Sequence, residues 1–158
     1  MKVDLAIERS LDLEAPFERV TGLLEDYETT IRRFPKLRKL KKLGDMTYLW
    51  EMAPIGSRIA NISHEVVYAA RYQVDAPRGR LSWQGMPSHG NAVIHGEFEL
   101  KPARKGTRLR FAVNGQLRDV PVPLIYRLVA PPFIQGKFTR LVDVFLEKTQ
   151  QALEGEDA

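Results

Sequence analysis

Apolar and polar residues alternate from the first positions of the chain, where Val3, Leu5 and Ile7 stand between polar neighbours. That period of two predicts a half-buried strand. The period then lengthens. Phe17, Val20, Leu23, Leu24, Tyr27 and Ile31 follow at spacings of three and four behind Pro16. Proline suits the start of a helix, and Gly22 divides the stretch, so two short helices are expected. After Pro35 the pattern predicts a hairpin turning at 43–46, then one long strand over 57–75, a turn at Pro77 and Gly79, and a short strand holding Trp83. Two further strands follow. Ile94, Phe98 and Leu100 alternate with His95, Glu97 and Glu99, and Leu109, Phe111 and Val113 alternate with Arg108, Arg110 and Asn114. One face apolar and one face wet is the signature of an antiparallel sheet covered on one side.

The last third supplies the cover. From Phe133 onward, Ile134, Phe138, Leu141, Val142, Phe145, Leu146, Thr149 and Leu153 form one stripe at helical spacing, with Lys137, Arg140, Glu147 and Lys148 off it. A long amphipathic helix of this kind must lay its apolar face on something, and the apolar face of the sheet is available. Ahead of it, Pro131 and Pro132 interrupt any helix running through Leu124 and Leu128, leaving a short proline-bounded element.

Composition narrows the chemistry. The chain has 158 residues, enough for one domain over 1–158 with a short acidic tail from about 154. There is no cysteine, which rules out disulfides and thiolate chemistry and fits a reducing, cytoplasmic setting. Asp4, Glu8 and Asp12 interrupt the apolar residues near the start, so a signal peptide is not expected. Seven of the eleven residues from Arg32 to Lys42 are basic, while the whole chain carries only +4, so the basicity is local. Lysines on an exposed strand discourage edge pairing, and Arg38, Lys39, Lys41 and Lys42 equally suit a peripheral contact with an anionic membrane. Nucleic acid is not expected as a partner, because no recognition motif or interleaved aromatic accompanies the charge. Leu37, Leu40 and Leu43 recur every third residue there, a spacing that calls for a bulge or a helix-to-strand transition.

The order of strand, paired short helices, antiparallel strands and long C-terminal helix is that of the helix-grip fold. The segments "RRFPKLRKLKKLGDMTYLWEM" and "SWQGMPSHGNAVIHGEFELKPARKGTRLRF" resemble the START-like superfamily of polyketide cyclase and coenzyme Q-binding relatives. The resemblance implies an α+β domain, with a curved sheet of about seven strands around the last helix. It also implies a cavity between them that holds an apolar small molecule such as a lipid, isoprenoid, quinone or polyketide-like ring system. Some relatives catalyse cyclisation, dehydration or hydrolysis there, and many only bind and carry, so binding or transport is the expected function and a cyclase or dehydratase the alternative. A third reading is an interaction module whose cavity is filled by side chains.

Strand alternation then picks the inward set. It comprises Tyr48, Trp50 and Met52; Ile62, His64, Val66, Tyr68 and Ala70; Trp83; Ile94 and Phe98; and Leu109, Phe111 and Val113. Asn61, Ser63, Glu65 and Arg71 face water. The ligand-binding candidates are Tyr48, Trp50, His64, Val66, Tyr68, Trp83, Ile94, Phe98 and Phe111 on the sheet, with Leu128, Phe133, Phe138 and Leu141 on the closing elements. His64 is the sharpest polar candidate, since an imidazole among apolar neighbours needs a partner. Tyr48, Tyr68, Tyr72 and Tyr126 are the hydroxyls available to a cyclase-like pocket. No nucleophile elbow, phosphate loop or catalytic constellation is present, and three scattered histidines do not make a metal site. No cofactor is expected.

Overall fold

The computed structural model describes residues 1–57 and 62–155. Nine strands and four helices are built from them: β1 (Val3–Leu13), α1 (Phe17–Val20), α2 (Gly22–Glu25), α3 (Tyr27–Ile31), β2 (Leu37–Gly44), β3 (Thr47–Met52), β4 (Ile55–Ser57), β5 (Ile62–His64), β6 (Val67–Asp75), β7 (Arg80–Gly90), β8 (Ala92–Ala103), β9 (Gly106–Leu117) and α4 (Ala130–Gly155). Seven strands form one antiparallel sheet in the order β1-β9-β8-β7-β6-β3-β2, and β4 and β5 form a separate two-stranded ribbon. The sheet's apolar face carries α4, about 39 Å long at 1.5 Å per residue over its 26 residues. This is the helix-grip arrangement expected from the pattern. None of the described helices is long and apolar enough to cross a membrane.

Three departures from expectation have physical causes. The two predicted short helices are three: Thr21 stands between α1 and α2, and Asp26, at φ −103 and ψ 54, breaks the helical path between α2 and α3. Thr30 Oγ1 donates to the carbonyl of Leu23 at 2.9 Å, satisfying an acceptor freed by the second break. The strand holding Trp83, expected to be short, is eleven residues long and includes His89. Only Arg80 to Trp83 pair with β8, and Gln84 to Met86 and Gly90 pair with β6 alone. Pro87 to His89 stand in the register shift at Tyr68/Ala69 with no partner on either strand, so Pro87 costs no ladder bond.

The third departure is at the long strand, which is two strands. Asn91 causes the break. Its side-chain amide donates to Glu65 O at 2.6 Å and accepts from Val67 N at 2.9 Å, and its own N–H donates to Val67 O at 2.8 Å. The backbone at 65–67 is thereby satisfied out of line, and β5 leaves the sheet to pair with β4. Gly90 has φ +70, and a Cβ there would strike the Val67 carbonyl, so glycine is required for this approach. Val66, Tyr68 and Ala70 are buried as expected, and Ser63, Glu65 and Arg71 are exposed. Asn61 lies outside the described residues, as does the side chain of Ile62.

The period of three in the basic stretch is explained by two register shifts of β2 against β3, between Leu37 and Lys39 and between Lys42 and Gly44. Helix α4 is fastened to the free edge of β1. Gln135 accepts from Ala6 N at 3.1 Å and donates to Ala6 O at 2.7 Å, Asp143 pairs with Arg9 at 2.8 Å, and Glu154 accepts from Glu14 N at 3.1 Å. The helix therefore includes the start of the expected tail, ending at Gly155. Its first turn contains Pro131 and Pro132, positions whose missing N–H has no helical partner in any case, so the prolines open this helix rather than end one.

Candidate functional site

Between the sheet and α4 lies an apolar cavity lined by Leu5 and Ile7 of β1, Ile31 and Phe34, Trp50 and Met52 of β3, Tyr68 and Tyr72 of β6, Leu81 and Trp83 of β7, Ile94 and Phe98 of β8, Phe111 and Val113 of β9, and Phe138, Val142 and Phe145 of α4. Nine of these seventeen side chains are aromatic. Eight of the nine, all but Phe138, are joined in a continuous chain of ring contacts. Trp50 stacks on Tyr68 at 5.2 Å, Phe34 meets Trp50 at 5.7 Å and Phe145 at 5.4 Å, and Phe98 meets Phe111 edge to face at 4.9 Å. Trp83 joins Tyr72, Phe98 and Phe111 at 5.9, 6.3 and 5.9 Å. The rings leave a free cavity of about 40 Å³. Pockets that enclose drug-sized ligands are roughly 300–1,000 Å³, so in this form there is room for a very small guest only.

Polar groups on the lining are few and unequal. Trp50 Nε1 donates to the Tyr72 hydroxyl at 2.8 Å. Trp83 Nε1 is buried and has no hydrogen-bond partner among the described residues. A buried donor left unpaired costs about 1–3 kcal/mol, so one cavity holds a satisfied indole and an unsatisfied one. Burial pushes the phenols of Tyr68 and Tyr72 above their ordinary value, and for Tyr72 the bond from Trp50 opposes this only in part. Both stay neutral, able to donate a hydrogen bond but poor as bases. No Asp, Glu, His, Lys or Arg stands among these lining residues, and no cluster of metal-ligating side chains occurs among the described residues.

Seven of the thirteen ligand-binding candidates meet at this cavity: Trp50, Tyr68, Trp83, Ile94, Phe98, Phe111 and Phe138. Six do not. Tyr48 is buried beside it, against Tyr27 and Tyr72 at 5.8 and 5.9 Å, and Val66 is fully buried at the strand break. Leu141 is half-buried at the border of the helix stripe. Leu128 and Phe133 are 93% and 38% exposed, because they precede or begin α4 beyond the reach of the sheet. His64 is carried off with β5. It is half-buried, its Nε2 has no partner among the described residues, and burial lowers its pKa, an effect that nearby Asp119 opposes. His95 points to the outer face, where its Nδ1 accepts from Gly85 N at 3.0 Å. Tyr126 lies in the segment ahead of α4.

Phe34, Tyr72 and Phe145 were absent from the candidate set although all three line the cavity. Tyr72 continues the alternation of Tyr68 and Ala70, and Phe145 stands two helical turns after Phe138, so both were signalled. Phe34 is enclosed by Arg33, Pro35 and Lys36, and only the tertiary fold turns it inward. Arg38, Lys39, Lys41 and Lys42 are exposed on the edge strand β2, with Arg38 reaching Glu65 at 3.5 Å.

No family model matches the chain, and no curated protein matches it. Solved structures share its fold. A protein from Thermus thermophilus superposes with a TM-score of 0.69 at 16% identity, covering 98% of this chain and 99% of that one. The di-domain ARO/CYC StfQ from the steffimycin biosynthetic pathway gives 0.62 at 12% identity, over 98% of this chain and 52% of that chain. Norcoclaurine synthase from Thalictrum flavum, solved with dopamine and hydroxybenzaldehyde, gives 0.56 at 15% identity, over 97% and 88%. The resemblance to START-like, polyketide cyclase-type proteins thus holds at the level of fold.

Proposed function

We propose that this helix-grip protein binds a hydrophobic small molecule in the cavity between its sheet and α4, without chemical turnover. The supporting observation is the lining itself: seventeen side chains from six strands, α4 and the α3 region converge on one apolar space, and one buried donor on it, Trp83 Nε1, has no partner among the described residues. Burial of apolar surface would supply the affinity at roughly 25 cal/mol per Å², and an acceptor atom on the ligand would satisfy the indole. A neutral ring carrying one ketone, ether or phenol oxygen is the simplest ligand of that chemistry. A ring-sized ligand, and all the more a lipid, requires the side-chain rings to part, with Phe34 and Phe145 between the short helices and α4 as the movable pair. The cysteine-free composition supports a cytoplasmic setting.

A cyclase or dehydratase using the same space draws support from the likeness to StfQ and norcoclaurine synthase. Against it stands the lining, where the titratable groups among the described residues are two phenols held neutral. The filled-core reading has an observation in its favour, the 40 Å³ of free space.

Native mass spectrometry of gently purified protein, followed by solvent extraction, tests the proposal together with thermal unfolding in the presence of indane and its ketone, indanone. Stabilisation by both probes, greater for the ketone, is the expected result. Ligand at about 100-fold its Kd adds about 2.7 kcal/mol. Trp83→Phe should erase the preference while leaving indane binding. Absence of any passenger and of any shift with either probe would sink the binding proposal in favour of the filled core.

A further inference from the structure

The large apolar side chains that remain exposed among the described residues are Leu43, at 40%, and five members of one ten-residue stretch: Leu124, Ile125, Leu128, Val129 and Phe133, at 77, 81, 93, 58 and 38%. Single exposed leucines are ordinary, but a contiguous group is not. The stretch is a formed structure. Val120 exchanges backbone bonds with Met1 at 3.0 and 3.2 Å, anchoring its start. A 3-10 turn over Leu124–Tyr126 follows, and Arg127, Val129 and Phe133 donate their N–H groups to Leu124, Tyr126 and Val129. The backbone is satisfied locally, and the side chains are held outward, exposed among the described residues.

We propose that this protrusion docks on an anionic lipid surface, with its apolar side chains in the outer acyl layer. Charge selects the occupant. From Val120 through Val142 the sequence contains Arg127, Lys137 and Arg140 and no acid. Lys137 Nζ stands 5.3 Å from the Phe133 ring centroid, which sets a cation beside the apolar tip. Two copies meeting through this patch would bring the cations of one, Arg127 and Lys137, to the same interface as those of the other. Anionic headgroups complement the same cations, and the acyl layer accepts Leu124, Ile125 and Leu128. Placement gives the contact a use. Phe138, on the cavity wall, is five residues from Phe133 on the same helix, about 7.5 Å along its axis. The docking proposal does not depend on what the cavity holds.

Flotation of the full chain with vesicles of phosphatidylcholine containing about 30% phosphatidylglycerol, and with pure phosphatidylcholine, tests it. The protein should float with the anionic vesicles and weakly or not at all with the neutral ones. Leu124→Ser/Ile125→Ser/Leu128→Ser should lower binding at least about tenfold. Each of Arg127→Gln and Lys137→Gln should lower it about fivefold at low salt. These positions are exposed, so an unchanged melting temperature confirms that the variants fold, and Leu128→Ser alone serves if the triple variant does not. Failure of the native protein to float, or a triple variant that floats as well as the native one, overturns the proposal. So does loss of binding from Lys41→Gln/Lys42→Gln on β2 with the triple variant unaffected. A dimer in light scattering that the triple variant splits would assign the patch to self-association instead.

Discussion

Leu128 and Phe145 are both large, apolar and separated by fewer than five turns of chain, yet one is 93% exposed and the other 3%. The difference lies in what faces them. Phe145 sits where α4 crosses the sheet, touching Phe34, Phe98 and Phe111, and each ring there is fixed by several others. Leu128 belongs to a segment whose hydrogen bonds are satisfied within itself and which has no sheet beneath it. Apolar character therefore serves two opposite ends in adjacent stretches: it closes the interior around the cavity and leaves a contact surface at the cavity's helix end.

Removing Phe145 should break this contrast most forcefully. Phe145→Ala should cost about 3–5 kcal/mol in chemical denaturation while opening space that raises affinity for ligands larger than indane. If stability falls without any gain in binding, the space has collapsed and the cavity is ordinary core. A smaller effect is expected on the sheet side. Gly96 lies directly under the Trp83 ring, so a Cβ there would overlap the indole. Gly96→Ala should cost about 1–3 kcal/mol by overpacking and shift the Trp83 fluorescence, with Trp50→Phe used to isolate that signal.

His64 belongs to the β4–β5 ribbon and is outside the cavity lining. Burial lowers its folded pKa below the ordinary 6.5, so the unfolded chain binds the proton first as pH falls. Stability contributed by the neutral imidazole is thus complete above pH 6.5 and is lost as pH drops below it. Glu8 and Glu99, lowered chiefly by bonds from Arg110 and Lys101, begin to lose theirs only below their ordinary 4.5. Denaturation midpoints measured down from pH 7.5 should show a modest decline starting near 6.5 that His64→Gln abolishes. A decline confined to the carboxylate range would contradict the burial of His64. Least affected should be Leu128→Ser, within about 0.5 kcal/mol of the native stability. A larger loss would mean that the protrusion packs against the body of the protein.

The legible and illegible parts of the site divide along the same line. Trp50, Tyr68, Ile94, Phe98 and Phe111 were found from alternation, since a strand with one covered face sends every second side chain to the cover. Phe138 was found from the helix stripe. His64 was misplaced because alternation assumes an unbroken strand, and the interruption is made by Asn91, about 25 residues away in the chain. Leu128 and Phe133 were counted as cavity residues on hydrophobicity, which reports preference for leaving water but not whether a neighbour is present.

What the sequence by itself determined is the set of elements and their apolar faces. Periods of two and 3.6, with prolines and glycines between them, encode local geometry, and local geometry plus one-sided hydrophobicity leaves little choice but a sheet gripping a helix. Only the tertiary structure decided how much space the nine rings leave, which indole lost its partner, where the long strand parts, and which leucines stay in water. Those outcomes depend on contacts between residues far apart in the chain, whose distances of a few ångströms no periodicity records.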